Sequence, residues 1–306
     1  MEHIFAGNPL DRGDVVRRDE SLILINSQNP NARYLIMKDL NPLVISEINH
    51  LKISWKTFSE VSEILSSKNN EEIIFLGSKN KNDFFVINVN KQDDKFSNNK
   101  EIFFDSREVA TQLSPGESGI LAQARAQLIW HNKTRFCSSC GNKTVPNRGG
   151  QVRQCSECKM EHFPRTDPVA IMLVYNGENC ILGQTRARQR KGFYSCLAGF
   201  IDQGESIEEA VKREVKEESG LLVDDIVYHS SQPWPFPSSL MIGCHARAIT
   251  EEIIFDKEEM SDVKWFSKTE VELAINEQSS KINVPGSVAI AHHLIKSWVN
   301  GEVPDK

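Results

Sequence analysis

The chain has 306 residues, of which 39% are hydrophobic and 25% charged, with a net charge of −6. That length suits two or three domains, and the composition is that of an ordinary globular protein. No run of 18 apolar residues occurs, so no membrane-spanning helix is expected; the negative net charge excludes long-range attraction of the whole molecule to nucleic acid, though not a local basic patch.

The N-terminal stretch MEHIFAGNPLDRGD carries neither a basic nor an apolar signal region, and the seven cysteines are odd in number. Both facts lead to the expectation of a reducing, cytoplasmic setting. Up to about residue 110, short apolar runs (SLILIN, RYLIMK, EEIIFLG, DFFVINV, EIFF) are separated by polar loops, the most polar being KQDDKFSNNK at 91–100. Their composition predicts strands of a small, mainly antiparallel domain with few helices, over 1–112. Ser114, Pro115 and Glu117 then have capping-box spacing, and Ala and Leu dominate the next dozen residues, so 113–132 is predicted to be a linking helix.

Residues 133–165 hold CSSCGNKTVPNRGGQVRQCSEC, of the form C-x2-C-x14-C-x2-C. Each CxxC turn points two thiolates at one ion, so Cys137, Cys140, Cys155 and Cys158 are predicted to bind one structural zinc, at about 2.3 Å per bond. Four protein ligands leave no open position for water, which assigns the site to folding; disulfides are the competing reading. The basic residues here (Lys143, Arg148, Arg153, Lys159) are too few to license nucleic-acid binding on spacing alone. Cys180, Cys196 and Cys244 lie singly in apolar runs and read as small buried hydrophobes.

From 166 to 306 the runs DPVAIMLVY and NCILGQT flank Asn176-Gly177, a hairpin signal. FYSCLAGF, an acidic stretch, LLVDDIVYH, LMIGCHARAI and DVKWF come next, and helical patterns close the chain at about 268–278 and 286–299. The class is therefore α+β, a sheet with helices on its faces. In the acidic stretch, Ser206 and Glu209 form a capping box and Gly220 suits the C′ position, so a helix is predicted over about 207–218. At 100° per residue Ile207, Val211 and Val215 share one face with Glu214 and Glu218. Glu217 sits at its edge, and Glu209, Lys212, Arg213 and Lys216 fall on the far side. Carboxylates on an apolar stripe need a cation or a pKa shift; a Mg²⁺ or Mn²⁺ site and a structural ion-pair cluster are the two readings.

Gly199, Glu205 and Arg213-Glu214-Val215-Lys216-Glu217-Glu218-Ser219-Gly220-Leu221 fit the pattern G-x5-E-x7-R-E-U-x-E-E-x-G-U throughout, and the chain resembles the Nudix hydrolases. The resemblance implies an α/β/α sandwich in which the box glutamates hold divalent ions on a diphosphate that water attacks. It implies Glu214 and Glu218 as principal metal ligands, Glu217 as third ligand or base, the Ala198 carbonyl as a backbone ligand, Arg213 as orienting the glutamates and Glu205 as fixing the loop.

A zinc ribbon, this box and then SQPWPFPSSLM (231–241) resemble the NADH pyrophosphatase branch of that family, over roughly Arg107 to Ile295. The implied activity is cleavage of NADH or NAD⁺ to nicotinamide mononucleotide and AMP, with removal of NAD caps from RNA as a second activity and a homodimer as the assembly. Gln232, Pro233, Trp234, Pro235, Phe236, Pro237, Ser238 and Ser239 would line the dinucleotide pocket. Phe200 would stack on the nicotinamide, with Phe163 opposite it where the branch often carries tyrosine. Glu259 would be a further metal ligand or base, and Arg107 and Ala291 substrate contacts. His162, His292, His293 and Trp265 read as packing residues. Two other readings stand beside this one: a related Nudix enzyme acting on ADP-ribose, diadenosine polyphosphates or another nucleoside diphosphate derivative, and a zinc-ribbon module that binds RNA or nucleotides without catalysis.

Overall fold

A computed structural model describes residues 3–47, 50–67, 73–89, 95, 96, 98, 100–186 and 192–303. The chain divides into two units: an N-terminal one, 2–165 with 235–238, and a C-terminal one, chiefly 166–234 with 239–306. Among the described residues no helix is long and apolar enough to cross a membrane.

The N-terminal unit contains, in order, α1 (Glu20–Ser27), β1 (Arg33–Lys38), β2 (Asn41–Glu47), β3 (His50–Ile53), α2 (Phe58–Ser67), β4 (Ile73–Lys79), β5 (Asn82–Val89), β6 (Glu101–Phe103), α3 (Ser106–Val109), α4 (Pro115–Lys133), β7 (Thr144–Asn147), β8 (Val152–Cys155) and β9 (Glu161–His162). Its main sheet runs β3-β2-β1-β5-β4, with β6 beside β2. Two expectations are corrected here. SLILIN is a helix, because Asp19 caps it by accepting from the Leu22 N–H and so starts α1. The sheet also has a parallel pair, β1 with β5, among its antiparallel neighbours. Of the polar loop expected at 91–100, most residues fall outside those described.

The linking helix is α4, with Pro115 in its first turn and the Ser114 hydroxyl accepting from the Glu117 N–H at 3.4 Å. Its capping box is half made. The Glu117 carboxylate accepts from the Ser114 hydroxyl and from the Ile53 N–H instead of turning back to the cap backbone. Ile120, Leu121, Ala124 and Leu128 bury one face against Leu35, Met37 and Val86, while Tyr34, Ile36, Phe85 and Ile87 point to the opposite core with Ile23 and Val61. That split is the period of two of a strand covered on both faces. The strands β7, β8 and β9 form a small separate sheet.

The C-terminal unit contains β10 (Asp167–Asn176), β11 (Asn179–Thr185), β12 (Leu197–Phe200), α5 (Ile207–Ser219), β13 (Val223–Trp234), β14 (Ser239–Ala248), β15 (Met260–Ser267), α6 (Lys268–Ile275) and α7 (Ile290–Val299). The sheet runs β13-β14-β10-β11-β15, with β12 on β10 and β14 parallel to β10. Along β10, Ala170, Met172 and Val174 pack with Val211 and Val215 of α5, while Ile171 and Leu173 pack with Val271, Leu294 and Ile295 of α6 and α7. The result is a sheet between helices. Gly177, at φ +58°, opens the two-residue turn from Asn176 to Asn179.

α7 begins at Ile290, later than its pattern suggested. Ala289 caps it without a side-chain hydrogen bond. The amide of the fully buried Gln232 does that work from β13: its Oε1 accepts from the Ile290 N–H at 2.8 Å and its Nε2 donates to the Val288 carbonyl at 2.8 Å. His292 and His293 reach back to the Pro285 and Ser287 carbonyls at 3.1 and 3.0 Å and hold the preceding loop. Cys180, Cys196 and Cys244 are buried free thiols, and Trp265 packs on the α5-side core.

Gly220 ends α5 in the left-handed region at φ +76°, and a methyl there would lie 2.6 Å from the Ile254 carbonyl oxygen. Gly177 needs the same backbone region but has nothing within 4 Å. Gly220→Ala should therefore cost about 2–4 kcal/mol and Gly177→Ala only about 1 kcal/mol in urea-melt comparison; equal losses would contradict the packing at Gly220.

Candidate active site

α5 starts where Ser206 and Glu209 exchange hydrogen bonds in a complete capping box and stops at Gly220. Ala210, Val211 and Val215 are fully buried on its inner face, and each valine contributes up to about 1.5–3 kcal/mol. Glu214 and Glu218 share that face, 9% and 3% exposed. Glu209, Lys212 and Lys216 face solvent, as the spacing predicted, and Glu217 is exposed at the edge.

Glu218 Oε2 accepts from the Ala198 N–H at 3.0 Å. The carboxyl of Glu214 lies directly against Gly199, where an added Cβ would sit 1.9 Å from Cδ. Only glycine leaves that space, which is a physical reason for the first residue of the box. Arg213 turns back from the outer face. Its Nε and Nη2 donate to Glu205 at 2.6 and 2.8 Å, its Nη1 to Glu214 at 2.6 Å and Glu217 at 3.0 Å, and its Nη2 also to the Phe200 carbonyl at 2.8 Å. One guanidinium thus fixes three carboxylates and the end of β12. Glu205 also accepts from the Asp202 N–H at 2.9 Å and so closes the loop before the helix.

These contacts divide the carboxylates electrostatically. The Arg213 hydrogen bonds, then the Asp202 N–H, pull Glu205 down to about 2. Burial pushes Glu218 up to about 8, against the Ala198 N–H and with Glu214, Glu259 and Glu217 adding repulsion. Burial likewise raises Glu214, opposed by Arg213. Glu259, in the turn before β15, therefore belongs to the same field as the pair, and its carbonyl accepts from the Arg186 N–H at 3.0 Å.

The donor set fits a hard divalent cation: two buried carboxylates whose ionised forms the apolar setting disfavours, a glycine cradle, and a third carboxylate at the rim. Glu214, Glu217, Glu218, Glu259 and the Ala198 carbonyl are the groups that could hold it. Among the described residues, the cysteines are the one group of three or more ligands lying within 4.8 Å of one another.

Those cysteines sit in the N-terminal unit. Sγ separations of 3.6 Å (Cys137–Cys158), 3.4 Å (Cys140–Cys155) and 3.5 Å (Cys140–Cys158) match the edges of a thiolate tetrahedron around zinc, roughly 3.8 Å for 2.3 Å bonds. They are far beyond the roughly 2.05 Å of a disulfide, and all seven cysteines are free. Asn142 holds the Cys140 thiol down to about 6 through backbone and side-chain N–H groups. His162 is not a fifth ligand but stands against Cys137 Sγ at 3.4 Å.

The remaining predicted residues divide between the units. In the C-terminal unit, Phe200 is 60% exposed beside the box, and Pro233, Trp234 and Ser239 close the β13–β14 hairpin, half-buried. Gln232 is spent on α7. Ala291 is buried in the α6–α7 core, its carbonyl facing Cys196 Sγ at 3.8 Å. In the N-terminal unit, Phe163 is exposed, and Pro235, Phe236, Pro237 and Ser238 form the hairpin tip. Arg107 lies over the Phe236 ring, 4.5 Å from its centroid. A residue that sequence reasoning missed, Arg125 of α4, joins them. It stands in an Ala- and Gln-rich helical pattern that carries no signal of a site.

Three family models match the chain in succession. Residues 31–130 match the NADH pyrophosphatase-like rudimentary NUDIX domain, 132–163 the NADH pyrophosphatase zinc ribbon domain and 164–284 the NUDIX domain. The chain is 34% identical over 340 residues to the NAD-capped RNA hydrolase NUDT12 of Homo sapiens, covering 97% of this chain and 73% of that protein. It is 43% identical over 209 residues to the mitochondrial NAD(P)H pyrophosphatase NUDT13 of Mus musculus, covering 64% and 59%. A solved NUDIX hydrolase from Nitrosomonas europaea aligns with a TM-score of 0.45 at 19% identity, covering 55% and 91%.

Two outcomes test the site. Glu218 keeps its proton in the folded chain up to about pH 8, whereas the unfolded chain loses it near the ordinary value of 4.5. Metal-free protein should therefore lose stability as pH rises from about 5 to 8; Glu205, depressed, acts only below that window. In EDTA, Glu218→Gln should melt several degrees above wild type at pH 8 and level with it at pH 5, and parallel melting curves would refute the burial argument. Gly199→Ala collides only with the flexible end of Glu214. It should keep the melting temperature within about 3 °C while weakening Mn²⁺ binding, read by calorimetry, at least tenfold; unchanged affinity would remove Glu214 from the site.

Proposed function

The chain belongs to the Nudix hydrolases, and from that membership we propose that it hydrolyses the diphosphate of NADH and NAD⁺ to nicotinamide mononucleotide and AMP, and the same bond where NAD caps an RNA. The observation that carries the reading is the buried Glu214–Glu218 pair, set against Gly199 and Ala198 and bracketed by Arg213. The branch is supported by the three family matches in chain order and by relatives that bear NAD(P)H pyrophosphatase and NAD-capped RNA hydrolase names. We divide the chain into an N-terminal domain (1–112), linking helix (113–132), zinc ribbon (133–165) and catalytic domain (166–306); the matches at 132–163 and 164–284 support the last two.

In the reaction water adds to one phosphorus, the P–O bond of the anhydride breaks, and a base takes the water proton. Bound Mg²⁺ or Mn²⁺ would neutralise the charge developing on the phosphoryl oxygens and acidify the water. Glu214 and Glu218 would hold the cation, with the Ala198 carbonyl and Glu217 or Glu259 as further ligands. The other of those two glutamates would accept the proton. Arg213 keeps Glu214 and Glu217 from swinging toward solvent. Phe200, exposed beside the box, offers a flat face to the nicotinamide ring. Gln232 also holds the start of α7 from within the segment read as substrate-lining. We also propose a homodimer, as the resemblance implies, in the reducing, cytoplasmic setting that the cysteine usage suggests.

Incubation with NADH and Mg²⁺ or Mn²⁺ should release AMP, with kcat/KM for NADH above that for NAD⁺ and ADP-ribose, and NAD-capped RNA should yield a 5′-monophosphate end. Glu218→Gln should lower kcat about 10³-fold with little change in KM. Faster turnover of ADP-ribose than of NADH would move the enzyme to that substrate class, and binding of NAD-capped RNA without turnover under either metal would overturn catalysis.

A further inference from the structure

The hairpin tip Pro235–Ser238 raises a problem that its own backbone cannot solve. Two of its four residues are prolines, which have no N–H, so few donors exist within it to satisfy its carbonyls. Pro235 is nonetheless buried. The donor comes from Arg125, whose Nη1 hydrogen-bonds the Pro235 carbonyl. The same guanidinium lies over the Phe236 ring, with Cζ 4.2 Å from the centroid. Arg107 lies over that ring at 4.5 Å, and the Phe5 ring meets it edge-on at 5.6 Å and 71°.

Burial weighs against the charge of Arg125, and Arg107 repels it; Asp105 attracts it in turn. Asp105 is held for that purpose by capping α3, accepting from the Arg107 and Glu108 N–H groups at 2.8 and 3.1 Å. Two guanidiniums gathered on one phenyl ring repel each other and lose hydration, an expensive arrangement unless the loop's position matters.

We propose that Arg125 is a positioning residue for dinucleotide binding, seating the Pro235–Ser238 tip through the Pro235 carbonyl and the Phe236 ring. This deepens the function proposed above and rests on reading the tip as a substrate-lining loop. A planar fork is required, because one group must donate in its plane and stack on its face at once. Lysine could approach the ring or the carbonyl but would not fill both roles.

Arg125→Met should raise KM for NADH about tenfold with kcat within about twofold and the melting temperature within a few degrees. Arg125→Lys should recover only part of that loss. In a double-mutant cycle with Phe236→Leu, the double variant should be no worse than Phe236→Leu alone. Hydrogen exchange at the Phe236, Ser238 and Ser239 amides should quicken in both Arg125 variants, a readout independent of activity. Unchanged KM and unchanged exchange would overturn the proposal, as would additive losses in the cycle or a joint fall of kcat and melting temperature in Arg125→Lys. If wild type releases no AMP from NADH, the proposed substrate fails by itself and the exchange comparison decides the role of Arg125. If Arg125→Met does not fold, Arg125→Lys and Phe236→Leu carry the test.

Discussion

Two carboxylates on the buried face of one helix set the terms for the rest of the C-terminal unit. Water would hold Glu214 and Glu218 ionised at little cost; the apolar face of α5 does not. Everything around them answers that problem. The Ala198 N–H meets Glu218, the missing side chain of Gly199 makes room for Glu214, and Arg213 supplies the nearest positive charge. The charge that these protein groups leave uncompensated is of the kind a divalent cation offsets.

The scaffold supports this by presenting the pair from rigid elements. β12, which carries Ala198 and Gly199, is paired along β10, and β10 buries alternate residues against α5 and against α6 and α7. A shift of one residue in that register would exchange the two faces and move Gly199 away from Glu214. The N-terminal unit uses a different device. There the cysteine cluster organises a segment with little apolar core of its own, and Arg153, bonded to Thr144 of β7, ties that segment to α4 through His131. His131 takes that bond as a neutral imidazole, since burial lowers it to about 4.

Much of this was legible in the residues because it is local. The cap at Ser206, the stop at Gly220, the inward spacing of Glu214 and Glu218, and the four cysteines all arise from periodicities of one helix or one knuckle. Strand composition misled at SLILIN, where a single capping aspartate outweighed β-branched content, and overlooked the strands at 41–47 and 50–53, whose apolar residues are interrupted by Pro42 and by polar positions. Arg213 was placed on the outer side of α5 by its angle, and its angle is right. Its long side chain returns to the glutamates, which a helical wheel does not represent.

The sequence alone determined the chemistry, because ligand type and spacing act within a few residues: thiolate pairs for zinc, carboxylates one turn apart for a hard cation, and a box complete at every fixed position. Tertiary structure alone decided which groups serve that chemistry from a distance. It set the Gln232 amide at the start of α7, and it brought Arg125 to Phe236 across more than a hundred residues of chain. Hydrogen bonds and ring contacts of that range depend on how the chain is packed, and no pattern within a single helix or strand encodes them.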